Sequence, residues 1–165
     1  DRDGRTALHW AARFGQLDVV KCLIDRDVKI DGKNMHGRTA LHTAAREGFD
    51  RIVQTLLDHR ADLNAVDEFS RTPLYLASQR GLLSCVKALA AKRADMGIAD
   101  HIHRIPVHVA AREGHMDVVC ELVTNSPNVK GMLAAVQDTG KTALHFAAEG
   151  GHVELSMQLV EFGAS

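Results

Sequence analysis

The stretch Gly37–Gly48, GRTALHTAAREG, decides the fold of this chain. Four further copies of the pattern occur: GRTALHWAARFG from Gly4, SRTPLYLASQRG from Ser70, HRIPVHVAAREG from His103 and GKTALHFAAEGG from Gly140. The first four copies are 33 residues apart, and the fifth begins 37 residues after the fourth. Four extra residues therefore lie within residues 125–138. A fixed period of this length indicates a repeat protein in which neighbouring units share one core.

Each copy has the pattern of a helix that begins at a hydroxyl and ends at a glycine. Thr39 stands where a side-chain oxygen can cap free backbone N–H groups, and Thr6, Thr72 and Thr142 are its counterparts. The small pair Ala44–Ala45 allows close helix packing, and Gly48 is suited to a left-handed helix end. Apolar residues then return at helical spacing from Ile52 to Leu57. We therefore expect two helices in each copy.

This pattern resembles the ankyrin repeat, whose signature is T-P-L-H-x-A-A-x-x-G, and the resemblance covers essentially the whole chain. It implies an all-α repeat solenoid in which a β-hairpin finger precedes each helix-turn-helix unit. It also implies a curved stack with a concave groove. We expect a single ankyrin-repeat domain over residues 1–165, with repeats at approximately 1–33, 34–66, 67–99, 100–136 and 137–165. Because the pattern starts and stops partway through a repeat, we expect a fragment of a longer array.

Several positions depart from the signature. Tyr75 replaces the signature histidine, and Ile105 replaces the capping threonine, which predicts that the fourth repeat is the weakest. Ser70 and His103 replace the turn glycine, so their backbones are expected to adopt the turn less readily. The insertion within residues 125–138 is expected to be an elongated turn, with a partner-contacting loop as the alternative.

Composition excludes a strong general attraction to nucleic acid or membranes. The net charge is −1, with 20 basic and 21 acidic residues, and no apolar run has membrane-spanning length. The three cysteines form no C-x-x-C pair, which favours a reducing compartment, the cytoplasm or the nucleus. We expect a monomer without membrane insertion.

No arrangement of residues predicts catalysis. The phosphate-binding, nucleophile-elbow and zinc-protease motifs are all missing, so we expect neither an enzyme nor a cofactor or metal. The signature histidines His9, His42, His108 and His145 are interpreted as structural.

The family resemblance implies binding through the finger tips and the first-helix face. Twenty-five such positions hold ten basic and six acidic residues, so this face carries +4 and the rest of the chain −5. The candidate partner-binding residues are Arg5, Phe14, Met35, His36, Arg38, Arg46, Glu68, Phe69, Arg71, Arg80, His101, Ile102, Arg104, Arg112 and Lys141.

Five of these positions form a basic ladder, one per repeat: Arg5, Arg38, Arg71, Arg104 and Lys141. One interpretation is that the ladder attracts an acidic-hydrophobic segment of a protein partner. The other is local pairing with finger acids. Sensing of an anionic ligand or nucleic acid, and a role as spacer within a longer array, are the remaining hypotheses.

A possible modification site lies at the end of the second repeat. Residues Leu56–Asn64, LLDHRADLN, resemble the pattern modified by the oxygen-sensing asparaginyl hydroxylase. The resemblance implies hydroxylation of Asn64.

Overall fold

Each copy of the repeated pattern, which begins at a threonine or its replacement and ends at a glycine, forms the first of a pair of short helices. The computed structural model describes every residue, Asp1–Ser165, and contains eleven α-helices and no β-strand. The helices are α1 (Ala7–Arg13), α2 (Leu17–Ile24), α3 (Ala40–Glu47), α4 (Asp50–Asp58), α5 (Pro73–Gln79), α6 (Leu83–Ala91), α7 (Pro106–Glu113), α8 (Met116–Asn125), α9 (Val129–Ala134), α10 (Ala143–Glu149) and α11 (Val153–Glu161). The all-helical prediction is confirmed.

The helices pack in two rows. The first helices of the pairs, α1, α3, α5, α7 and α10, each pack against the next, and α2, α4, α6 and α8 form a second row. Ala12, Ala45 and Ala111 are fully buried between these helices because a methyl group lets two backbones approach closely. One continuous core of 37 buried residues results.

The fingers between repeats are hydrogen-bonded turns, not the β-hairpins implied by the resemblance. In the second finger, Asn34 N–H donates to the Arg38 carbonyl at 3.0 Å and Gly37 N–H to the Asn34 carbonyl at 2.9 Å. Adjacent fingers are joined by single backbone bonds, such as Glu68 N–H to the His36 carbonyl at 3.0 Å. Each turn leads almost at once into a helix, so too few residues pair to form strands. The curvature and the concave groove stay predictions.

Two turns place side chains in a conformation that suits glycine. Gly37 has a φ of 69°, and Ser70 and His103, which replace glycine, both have a φ of 60°. A left-handed backbone costs an L-residue about 1–2 kcal/mol. The expected strain at these two turns is therefore present.

The segment that contains the four-residue insertion forms the six-residue helix α9, so the expectation of an elongated turn was wrong. Asn128 caps it by accepting the Gly131 N–H at 3.0 Å, and Met132 and Leu133 are buried. The helix packs against α8 and α10. These two apolar side chains explain the difference, because a helix buries both on one side.

The signature histidine of the second repeat joins that repeat to the third. Thr39 N–H donates to His42 Nδ1 at 3.1 Å, and His42 Nε2 lies 3.0 Å from the Arg71 carbonyl oxygen. Because Nδ1 accepts a backbone N–H, the proton lies on Nε2, which donates to Arg71. The ring must be neutral to make both bonds. The Thr39 hydroxyl also accepts the His42 N–H at 3.4 Å, as the capping prediction requires.

His9 makes the same bridge, and His108 makes a similar bond within its own repeat. His9 Nε2 lies 2.7 Å from the Arg38 carbonyl oxygen of the second repeat, and His108 Nε2 lies 2.9 Å from the carbonyl oxygen of Ala135, at the end of α9. His145 contacts only Thr142 of its own repeat and is exposed. We call the His9, His42 and His108 contacts the imidazole bridges. The structural interpretation is confirmed for these three.

The missing cap at Ile105 is partly replaced. His108 N–H, whose counterpart His42 N–H bonds to a threonine hydroxyl, donates to the Ile105 carbonyl at 3.0 Å, and the Ile105 side chain is buried in the core. Apolar burial offsets part of the cost of the lost hydroxyl. The relative weakness of the fourth repeat stays a prediction.

We expect stability to fall in mild acid because the imidazole bridges need neutral rings. Burial lowers the pKa of His42 from 6.5 to about 4 and also lowers the pKa values of His9 and His108. Since the unfolded chain then binds more protons, each such histidine removes up to about 1.4 kcal/mol per pH unit as pH falls below 6.5. For His42 this window extends to about pH 4.

Urea unfolding between pH 7.5 and 4.5 tests this expectation. His42→Gln is expected to have a flatter pH profile than the wild type, whereas exposed His59→Gln should keep the wild-type slope. An equal slope in the wild type and His42→Gln would contradict the account.

Ser78→Ala is expected to raise the free energy of unfolding by about 1 kcal/mol. The Ser78 hydroxyl is buried in α5 without a hydrogen-bond partner, and the other repeats carry alanine there. Ser84→Ala, at an exposed position in α6, controls for the better helix propensity of alanine. Equal effects of the two substitutions in urea unfolding would show that the buried hydroxyl carries no cost.

Candidate interaction surface

In each of the first four fingers, one side chain accepts two backbone N–H groups. It belongs to the residue three positions before the turn residue (Gly4, Gly37, Ser70 or His103). Asp67 Oδ1 accepts the N–H groups of Phe69 and Arg71, both at 3.0 Å. Asp1, Asn34 and Asp100 accept the equivalent pairs of N–H groups in their own fingers. Sequence reasoning missed these residues because it began at the turn glycine. Their 33-residue spacing was a signal that could have identified them.

Asp67 is also the centre of a buried ion-pair cluster. Its Oδ2 lies 2.8 Å from an Arg71 guanidinium nitrogen and 3.2 Å from Arg38 Nε, and its side chain is fully buried. Burial by itself raises the pKa of Asp67, but hydrogen bonds from Arg71 and the charge of Arg71 hold that pKa below its ordinary value. The carboxylate thus links the fingers of the second and third repeats.

Asp100 has a similar position one finger further along. Its Oδ2 lies 2.8 Å from an Arg104 guanidinium nitrogen and accepts the Tyr75 hydroxyl proton at 2.7 Å. Burial, followed by the hydrogen bond to Asp100, raises the pKa of Tyr75. Tyr75 therefore replaces the signature histidine with a different bond to the next repeat.

The basic ladder is paired within the chain. Arg5 lies 3.2 Å from Asp3, Lys141 contacts Glu149, and the other three rungs bind Asp67 or Asp100. The side chains of Arg38, Arg71 and Arg104 are only 19–21% exposed. This geometry supports the local-pairing interpretation for most of the ladder charge.

Other arginines of the first-helix face lack such partners. No carboxylate lies within 4.0 Å of Arg13, Arg80 or Arg112, and Arg46 has only Glu47, at 3.7 Å. Burial lowers the pKa of Arg46; Glu47 raises it, and the charges of Arg80, Arg38 and Arg13 lower it. Unpaired positive charge therefore lies beside α1, α3, α5 and α7.

An exposed aromatic pair borders this charge. The rings of Trp10 and Phe14 stack with centroids 5.7 Å apart and an angle of 11° between their planes. Arg13 lies over both rings, at 5.7 and 5.9 Å, and Arg5 lies 5.3 Å from the Trp10 ring. Sequence reasoning named Phe14 but not Trp10, although Trp10 is the only tryptophan.

The finger tips place further candidate residues at the surface. Met35 is 71% exposed and Phe69 is 41% exposed, whereas Ile102 is half-buried. Phe69 packs against Arg71 at 4.5 Å and His101 at 5.7 Å. His36 Nδ1 lies 2.8 Å from Glu68 Oε1, which connects the tips of neighbouring fingers.

Asn64 follows the second helix of its repeat, outside the finger tips and first helices. It is exposed, lines a cavity of about 1140 Å³ and accepts the Asp95 N–H at 3.0 Å through its side-chain oxygen. Ala94, Met96, Ile105 and Met132 also line this cavity. Hydroxylation of Asn64 stays a prediction.

Two other features bear on function. No group of three or more His, Cys, Asp or Glu side chains is arranged to hold a metal ion. None of the helices combines the length and apolarity needed to cross a membrane.

Comparison with protein families gives one result. The family model described as "Ankyrin repeats (3 copies)" matches residues 1–67, 52–132 and 107–165, which together span the chain. No curated protein matches the chain significantly.

Asp67→Ala is expected to lower the free energy of unfolding by about 2–4 kcal/mol, because it leaves two arginines and two N–H groups without their acceptor. Asp67→Asn is expected to lower the free energy of unfolding by less, since the amide oxygen of Asn34 accepts the two equivalent backbone N–H groups in its own finger.

The control for this experiment is Asp95→Ala, which removes only a local bond to the Gly97 N–H. Chemical denaturation of the three variants measures the difference. Equal losses in Asp67→Ala and Asp95→Ala would show that the ion-pair cluster does not stabilise the stack.

Proposed function

Because this chain belongs to the ankyrin-repeat family, we propose that it is a scaffold that binds a protein partner through its finger tips and adjacent first-helix face. Ankyrin repeats are generally protein-interaction modules. The observation that supports this proposal is the exposure of large apolar side chains on a face that also carries unpaired arginines, with Phe14 60% exposed and Met35 71% exposed. Aromatic and arginine side chains supply much of the binding energy at protein interfaces. We propose no catalytic or cofactor-dependent role.

The proposed surface consists of two groups of side chains. The finger tips contribute Met35, Phe69 and Ile102, and the first helices contribute Phe14, Arg46, Arg80 and Arg112. The ladder residues act mainly as the frame of the fingers, because their charges are paired. We propose a monomer that acts in the cytoplasm or nucleus, where its three free cysteines would stay reduced.

The pairing of the ladder and the acids of the first-helix face argue against sensing of nucleic acid. Phosphate-driven binding needs several free cations in a row, whereas Glu47, Glu113 and Glu149 lie among the unpaired arginines of that face. The affinity of such binding falls steeply as salt rises. Undetectable binding of a single-stranded RNA at about 150 mM salt is the result that we expect.

The finger tips can be tested with a defined probe. We propose to select peptides from a phage-displayed library of random 12-residue sequences on the immobilised chain and to measure their affinities by fluorescence polarisation. Met35→Ser combined with Phe69→Ser is expected to weaken binding at least tenfold, because it removes two apolar anchors.

Val153→Ser combined with Met157→Ser is the matched control, since both residues are exposed on α11, away from the fingers. Equal affinity in the finger variant and the wild type would contradict the proposed surface. Failure to select any peptide would favour the spacer hypothesis.

A further inference from the structure

We infer that a notch between the first two repeats receives a single carboxylate side chain of the partner, with an apolar partner side chain beside it. The notch is a cavity of about 50 Å³ between α1 and α3. The inference rests on the proposed function, because it names the chemistry of the partner segment and where it binds.

The lining of the notch is strongly basic. Arg5, Arg13, Arg38 and Arg46 line it, and Glu47 is its only carboxylate. Thr43 adds a hydroxyl group. Four arginines around one small space make a site for a compact anion, because a guanidinium group presents a planar fork of N–H donors.

Two of these arginines have unused bonding capacity. Arg5 and Arg38 are paired with Asp3 and Asp67, but Arg13 has no carboxylate partner. Arg46 lies 3.7 Å from Glu47, which is beyond a normal hydrogen bond. Arg13 and Arg46 therefore keep donors for an incoming carboxylate.

The aromatic pair packed against Arg13 favours an apolar neighbour for the carboxylate. Arg13 lies over both Trp10 and Phe14, so a carboxylate bound by Arg13 lies next to the exposed Phe14 ring. An aromatic or aliphatic side chain one or two residues from the acid can pack on that ring. This combination matches an acidic-hydrophobic protein segment.

The distribution of acids favours a protein segment over nucleic acid. Glu47 borders the notch, and Glu113 and Glu149 occupy the first-helix face of the fourth and fifth repeats. A polyanion running along this face would meet those three carboxylates. One acidic side chain needs only the notch.

The test uses the peptides selected from the random library and two double variants. Arg13→Glu with Arg46→Glu reverses two charges in the notch, and Arg51→Glu with Lys87→Glu reverses two exposed, unpaired charges on α4 and α6. We expect the dissociation constant to rise at least tenfold in the notch variant and less than twofold in the control. Thermal unfolding followed by circular dichroism verifies that each variant is folded.

A double-mutant cycle assigns the contact to the carboxylate. The cycle uses the neutral variant Arg13→Gln with Arg46→Gln, which removes the donors without introducing repulsion. Changing one peptide glutamate or aspartate to its amide is expected to weaken binding to the wild type about tenfold or more and to leave binding to this neutral variant unchanged.

The outcomes separate this inference from the proposed function. Selected peptides that no longer bind the finger-tip variant but bind the notch variant with wild-type affinity would overturn the proposed carboxylate site. They would leave the scaffold function standing. Selected peptides without an acidic residue would also overturn it. A library that yields no binder would overturn both. Tight, notch-dependent binding of a single-stranded DNA oligonucleotide at about 150 mM salt would replace the protein segment with nucleic acid.

Discussion

A buried imidazole ring that accepts one backbone N–H and donates to the backbone of the next repeat is the interaction on which this stack depends. His9 and His42 make it, and His108 makes the corresponding bond to Ala135 at the end of the inserted helix α9; each ring must stay neutral to do so. The third repeat makes its bond with Tyr75 and Asp100 instead. The arrangement fixes the spacing between repeats, because a rigid ring spans from the start of one helix to the backbone of the next repeat. The position of every finger, and of the surface beside it, follows from that spacing.

Most charges of the basic ladder are also used within the fold. Arg38, Arg71 and Arg104 form ion pairs with the buried carboxylates Asp67 and Asp100, so the ladder mostly stabilises the fingers. The charge that remains for a partner lies on less regular positions, above all Arg13 and Arg46. Positions that carry the same residue type in every repeat thus stabilise the repeats. Positions that vary between repeats form the surface that is particular to this chain.

Much of the fold could be predicted from the sequence, because the 33-residue period superposes helix starts, small pairs and glycines. The helix α9 could not, since the insertion has no counterpart in other repeats with which to compare it. Arg38 looked like a free cation because its partner Asp67 lies 29 residues away and meets it only in the folded stack. Trp10 was passed over because its stack with Phe14 is a property of the helix surface, not of the motif.

The central claim is that partners bind to the fingers and first helices. The most direct test is nuclear magnetic resonance of the isotopically labelled chain titrated with a selected peptide. The account predicts that chemical shifts change mainly at the finger tips and along α1 and α3, including the side-chain N–H signals of Arg13 and Arg46. Changes confined to the second helices α2, α4, α6 and α8 would contradict it.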